Sequence, residues 1–253
     1  MSSKIKIHFL GTNGWFATET GHSTCHLIDA PEAYIILDAG TGIYKIDQHI
    51  IDTTKPIFLF LSHFHLDHVF GLHILNKFDF PQGITIVTQE KSQKILNTIC
   101  NQPFTMNIKN LPTKISVKEV SQGIHDEFPF KLEAKQLVHI SRCFGYRFEL
   151  SKKTITYCTD TGTCKSMETL ARNTDLLIAE CSLRPGDSKP DWPHLNPIDS
   201  ANVALKMKAK MLALIHFDAV NYPLLKDRKL ALKDAKTVFN NVIITTDDSF
   251  ITI

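Results

Sequence analysis

The 253-residue chain has no apolar run approaching the roughly 18 residues needed to span a bilayer. Its opening, MSSKIKIHFLG, is too short in apolar length for a signal peptide and alternates apolar with polar residues, so it reads as a strand. Both absences predict a cytoplasmic protein with no membrane partner. A strong basic footprint is missing too: 28 Lys and Arg stand against 26 Asp and Glu, a formal net charge of +2. That balance neither requires nor forbids nucleic acid, but it is not the pattern of a dedicated binder. The densest basic group, Lys206, Lys208 and Lys210, reads as the solvated end of a helix. The six cysteines (Cys25, Cys100, Cys143, Cys158, Cys164 and Cys181) make no CxxC pair. A domain of this size needs no disulfide framework, so they read as small core residues, with a local Cys158–Cys164 site the lesser alternative. Repeats, low-complexity tracts and Gly/Ser linkers are also lacking, so residues 1–253 read as one domain.

What is present is a rhythm of short β-like runs. Lys4–Leu10, Thr24–Ile28, Tyr34–Leu37 and Ile57–Leu61 are rich in Ile, Phe and Leu and bounded by Gly, Pro, Asp or Asn. A strand near Ile84–Thr88 and a helix near Glu90–Cys100 follow. Strands are then predicted near Ile115–Val120, Phe130–Val138, Phe144–Leu150 and Thr154–Cys158. The second half alternates. Helices near Lys165–Asn173, Pro197–Lys208 and Leu225–Phe239 lead to strands Leu176–Ala179, Met211–Ile215 and Val242–Thr245, and Phe250–Ile253 closes the chain. Pro197 suits a first helical turn with Asn196 as its cap. Two such blocks predict an α/β (α+β) protein, two packed sheets with helices outside.

Chemistry concentrates after the apolar run Ile57–Leu61, in Ser62-His63-Phe64-His65-Leu66-Asp67-His68. Imidazole and carboxylate are good ligands for zinc and related ions. Four of them within six residues, between two apolar segments, are not the composition of a solvated turn. A tight loop lets His63 and His65 reach one ion while Asp67 and His68 point to a second. Four ligands cannot complete two shells. His139, Asp160 and His216 each follow a β-like run, and strand ends collect at one sheet edge. Any one of the three alone would read as an ordinary core or surface residue; together they form a plausible set.

With these residues in place, the chain resembles the metallo-β-lactamase fold superfamily, in particular its ribonuclease Z and phosphodiesterase branch. The resemblance rests on FLGTNG (Phe9–Gly14), LDAG (Leu37–Gly40), SHFHLDH (Ser62–His68), TDTG (Thr159–Gly162), AECS (Ala179–Ser182), the His194 segment and IHFD (Ile215–Asp218). It spans nearly the whole chain. It implies a four-layer αβ/βα sandwich with two divalent ions at the sheet edge, zinc first, manganese or iron as alternatives. It implies that His63, His65 and His139 hold one ion, that Asp67, His68 and His216 hold the other, and that Asp160 bridges them. Asp38 resembles an aspartate that fixes a ligand imidazole; equally, it reads as a turn residue before Ala39-Gly40. His194 resembles an acid catalyst partnered by Glu180, whose carboxylate would orient the ring and raise its pKa. A loop histidine is the plainer alternative.

The expected activity is binuclear metal-dependent hydrolysis. Two ions roughly 3.5–4 Å apart would share a water and lower its pKa, making a bridging hydroxide the nucleophile. Asp67 would orient that water or take its proton, and His194 would protonate the leaving oxygen. A phosphodiester suits such a site, since its anionic oxygens can lie across two cations. Three departures bear on the substrate. Leu66 stands where the tRNA-processing members usually carry Gly. Only 20 residues separate His139 from Asp160, room for two strands and a turn but not for the long arm with which those members grip tRNA. No strong basic patch replaces that arm. The expectation is therefore a small phosphodiester or nucleotide substrate, or a short RNA. Alternatives are ribonuclease Z-type tRNA 3′ processing, thioester or lactone hydrolysis, and a non-catalytic metal-binding module. Members of that branch are often dimers, which extends to this chain by resemblance alone. The apolar segments Val69–Leu75 and Phe78–Pro81 read as core cover in preference to an interface.

Overall fold

The computed structural model describes residues 4–187 and 189–253. Its strands are β1 (Lys6–Gly11), β2 (Asn13–Gly14), β3 (Cys25–Asp29), β4 (Tyr34–Leu37), β5 (Ile57–Phe60), β6 (Ile84–Gln89), β7 (Ile115–Val120) and β8 (Gly123–His125). The series continues with β9 (Lys131–Gln136), β10 (Phe144–Leu150), β11 (Lys153–Cys158), β12 (Leu176–Cys181), β13 (Leu212–Asp218), β14 (Val242–Ile244) and β15 (Ser249–Thr252). Helices are α1 (Leu66–Val69), α2 (Gln93–Ile99), α3 (Lys165–Ala171), α4 (Pro197–Lys206) and α5 (Leu225–Lys236). Every strand read from the sequence is present, most within two residues of the expected ends. The 3-10 turns Thr41–Gln48 and Phe70–Lys77 and the short β8 were not foreseen.

One sheet runs β15-β1-β3-β4-β5-β6-β7 and the other β14-β13-β12-β11-β10-β9-β8. Side-chain alternation sorts the core into three slabs. Ile35 and Leu37 of β4 meet Tyr146, Phe148, Ile178 and Ile215 between the sheets. Ile36, one residue out of phase, packs with Leu59, Ile86 and the 3-10 residues Ile43, Leu72 and Leu75 on the outer face. Leu177, Ala179 and Leu214 likewise pack beneath Met167, Leu170, Ala201 and Ala231 of the outer helices. Three slabs separate four layers, the expected αβ/βα sandwich. Strands β11–β14 pair in parallel and lie covered on both faces, so β12 is buried at all six positions. Asn196 caps α4, its side chain accepting from the N–H groups of Ile198 (2.9 Å) and Asp199 (3.0 Å).

Val69, Leu72, Leu75, Phe78 and Phe80 are buried core residues, and Lys206, Lys208 and Lys210 are exposed, all as expected. The cysteines are free; five are buried and Cys164 is intermediate. No helix among the described residues is long and apolar enough to cross a membrane.

Candidate metal centre

The C-terminal ends of β4, β5, β9, β11, β12 and β13 come to one edge of the sandwich. Chain leaving the strands there must turn, and the strand ends and turns carry the reactive side chains. Three residues at this edge use backbone that non-glycine residues seldom adopt: φ is +58° at Asp38, +48° at Asp160 and +51° at His216. At His216 the pairing of β12 with β13 shifts register between Glu180 and Cys181. That bulge re-aims the histidine away from the sheet.

The expected residues converge. His63, His65, His139 and Asp160 each present one donor atom within 4.8 Å of the others, and so do Asp67, His68 and His216. Asp160 divides its carboxylate between the groups. Its Oδ2 lies 3.7 Å from His63 Nε2 and 3.9 Å from His139 Nε2, while its Oδ1 lies 3.2 Å from the Nε2 atoms of both His68 and His216. Asp67 Oδ2 sits 3.2 Å from His216 Nε2 and 3.4 Å from His68 Nε2, and also accepts the Trp15 N–H at 2.8 Å.

The donor set fits divalent ions on two counts. His63 Nε2, which faces Asp160, is buried with no hydrogen-bond partner. The Nε2 atoms of His68 and His216 face each other at 3.2 Å, so only one can carry the proton between them. A cation taking both lone pairs removes that conflict. Electrostatics agree. Burial, then the neighbouring His68, hold the His63 pKa well below its ordinary value, and burial lowers those of His65 and His139. Neutral imidazoles are the metal-binding form. Burial also opposes charge on His68, yet Asp160, Asp67 and Asp38 outweigh it and raise its pKa well above normal. The pocket thus calls for positive charge at that point, which an ion would supply. Burial works against ionised Asp160 as well, but His216, His68 and His63 keep its pKa well below the carboxylate range.

The far nitrogens of four of these rings are held too. His63 Nδ1 meets Ser62 Oγ at 3.0 Å, His65 Nε2 meets Ser141 Oγ at 3.0 Å, and His216 Nδ1 meets Ser182 Oγ at 3.0 Å. His68 Nδ1 meets Asp38 Oδ2 at 2.8 Å. Asp38, fully buried, also accepts from Ser62 N (2.7 Å), Ser62 Oγ (2.8 Å) and Tyr157 Oη (2.6 Å). It is therefore no mere turn residue. Such outer partners fix the orientation and basicity of a ligand. Replacing Asp38 with Ala is expected to weaken metal binding by about 10–100-fold, read by competition with a chromogenic chelator. Unchanged affinity would reduce Asp38 to a turn residue after all.

His194 lies beside this cluster, its ring stacked on His216 with centroids 6.0 Å apart. Its Nδ1 meets Glu180 Oε2 at 2.8 Å. Burial opposes a charged His194, but the Glu180 carboxylate prevails and lifts its pKa to about 9. The motif glycines have a steric reason. A Cβ on Gly14 would lie 2.5 Å from His216 Cε1, and one on Gly40 would lie 2.5 Å from the Asp67 carbonyl oxygen.

Sequence reasoning gave no role to Ser141, Tyr157, Trp15, Trp192 or Arg228. Trp192 stacks on His65 at 5.7 Å with rings 9° apart. Arg228 is fully buried, donating to Thr12 Oγ1 (2.8 Å), the Thr245 carbonyl (3.1 Å) and Asn13 Oδ1. It braces the loop that carries Gly14 and Trp15 against the site. In the sequence it is one arginine among the lysines of a polar helix, with no signal to separate it. Tyr157 lies in the run Thr154–Cys158 and Trp192 near His194, but nothing in the sequence set them or Trp15 apart.

A domain family described as the beta-lactamase superfamily domain matches residues 33–217, most of the chain. The chain belongs to that superfamily. Membership implies divalent metal ions at this edge, where the overlapping His/Asp clusters stand. A ribonuclease Z from Saccharolobus solfataricus is 24% identical over a 293-residue alignment covering 98% of this chain and 99% of that protein. Among solved structures, the metallo-β-lactamase fold protein YhfI from Bacillus subtilis superposes with a TM-score of 0.83 at 19% identity, covering 99% of this chain and 100% of that one. The short form of human tRNase Z gives 0.72 at 20% identity, covering 97% and 98%. Both share this superfamily's fold.

Proposed function

We propose that this protein is a binuclear metal-dependent hydrolase that cleaves a small or nucleotide-type phosphodiester. The observation that carries the reading is the division of the Asp160 carboxylate between two histidine clusters, with the His194–Glu180 pair beside them. His63, His65 and His139 would hold one ion, Asp67, His68 and His216 the other, and Asp160 both. Zinc suits a donor set of imidazoles and carboxylates. Bound there, two ions would supply Lewis acidity and lower the pKa of water.

The chain's own residues do the rest. Asp67, held in place by the Trp15 N–H, orients the attacking water. Glu180 accepts from His194 Nδ1 and keeps that ring protonated at neutral pH, so His194 Nε2–H can protonate the leaving oxygen. Trp192 and Trp15 border a cleft of about 440 Å³ over these groups. Leu66, 71% exposed, stands at the start of α1 next to Asp67 and displaces no ligand.

Ribonuclease Z-type activity on RNA is the second reading, favoured by the full-length match to an archaeal ribonuclease Z. Against tRNA itself stands the segment between His139 and Asp160. It is consumed by the β10–β11 hairpin, closed at Ser151 and Lys152, and no protruding arm leaves it.

Elemental analysis of protein purified without chelator is expected to give about two divalent ions per chain. Chelation should abolish turnover of phosphodiesters, and zinc or manganese should restore it. Protein that takes up neither ion and stays inactive on their addition would sink the reading.

A further inference from the structure

The chain contains two tryptophans, Trp15 and Trp192. Both line the one cleft above the clustered histidines. Neither is a core residue: Trp15 is 65% and Trp192 45% exposed. Large indoles left in water at a cleft are ready to bury an apolar, flat partner.

They flank different halves of the centre. Trp192 stacks on His65, stands edge-on to His139 at 5.9 Å and lies 6.5 Å from His194. Trp15 belongs to the other half. Its backbone N–H donates to Asp67, and the preceding Gly14 packs against the His216 ring. Phe16 meets the Trp15 ring edge-on at 5.3 Å and supports it. A phosphodiester placed over Asp160 therefore lies in a cleft that both indoles line, with Trp192 directly over the His65–His139 side. Lys189 lines the same cleft and adds a cation at its mouth. Asp218, also in the lining, turns its carboxylate to the N–H groups of Val220 (2.9 Å) and Asn221 (2.8 Å), which offsets its repulsion of an anion.

We propose that Trp15 and Trp192 form a stacking site for a nucleobase, so that this cleft selects nucleoside phosphodiesters over aliphatic ones. The inference rests on the phosphodiesterase reading above and narrows its substrate class. Stacking is sequence-tolerant, because every base has a π-face, so the site discriminates base from no base more than one base from another.

Tryptophan emission reports on this cleft directly. Adenosine 5′-monophosphate is expected to quench it saturably, while ribose 5-phosphate, with the same phosphate and no base, leaves it nearly unchanged. In W15F the remaining emission comes from Trp192, and in W192F from Trp15, so each wall is read separately. Kinetics give the second readout. Thymidine 5′-(p-nitrophenyl phosphate) and methyl p-nitrophenyl phosphate share a leaving group and differ in the base. W192A is expected to lower the ratio of their kcat/KM values by about tenfold or more, and W192F to restore most of it. Equal quenching by the two phosphates, or an unaltered ratio in W192A, would overturn the stacking site. Base-dependent quenching with no turnover of either ester would keep the stacking site and reject the phosphodiesterase reading instead.

Discussion

An Asp160→Ala variant is expected to retain about one divalent ion or fewer per chain and to lose phosphodiesterase turnover by a factor of at least about 10³. The expectation follows from geometry. The Asp160 oxygens are the anionic atoms that face both clusters, Oδ2 toward His63 and His139, Oδ1 toward His68 and His216. Without them, two cations at close range would repel each other with no bridging carboxylate between. Several kcal/mol of charge stabilisation depend on both ions staying. Asp160→Asn keeps the shape and removes the charge, so it separates packing from electrostatics. Ion content by elemental analysis and turnover of a phosphodiester are the measurements, with far-ultraviolet circular dichroism to confirm folding. Two ions and turnover within about tenfold of the parent would mean that Asp160 does not bridge.

The second large effect depends on the leaving group. His194→Ala is expected to slow hydrolysis of a diester with an alkoxide leaving group by about 10²–10⁴-fold. For p-nitrophenolate, which leaves without a proton, the loss should shrink to a few-fold, because a stable anion needs little help from an acid. Equal losses for both substrates would remove His194 from the acid role. Glu180→Gln tests the pair from the other side. Burial disfavours the imidazolium, and the Glu180 charge is what lifts His194 from an ordinary 6.5 to about 9. With glutamine, the acid form is lost at lower pH, so the alkaline limb of the pH–rate profile moves down. Glutamine still offers an oxygen to the Thr161 N–H that Glu180 binds, so the loop after Asp160 keeps its anchor. Bound ions lower the His194 pKa in both proteins, so the test is the direction of the shift. A limb that stays in place would break the link between Glu180 and the acid.

Local sequence was enough for a good part of this. The HxHxDH segment announced a metal site because four ligand types crowd into six residues between apolar runs. Asn196-Pro197 marked the start of α4 because cap and first turn are decided within a few residues. His139, Asp160 and His216 were found only as residues following β-like runs. Their pairing with His63, His65, Asp67 and His68 came from resemblance, since contacts across 70 to 150 positions leave no periodic trace. The 3-10 turns Thr41–Gln48 and Phe70–Lys77 were missed for a related reason. They are shaped by the outer face of β4–β6, not by their own propensity.

The sequence by itself determined the kind of chemistry, because ligand identity and the apolar strand before it are local properties. It also excluded a long arm between His139 and Asp160, because chain length is a hard limit. Only the tertiary structure decided how the parts share work. It put one Asp160 oxygen on each cluster, turned Asp38 and three serines onto the far nitrogens of the rings, buried Arg228 behind the Gly14 loop, and brought both indoles to one cleft. Each of these depends on strand register and on which side of a turn a side chain emerges. Those are settled when two sheets pack face to face and bury their alternating residues, not by any residue's own preference.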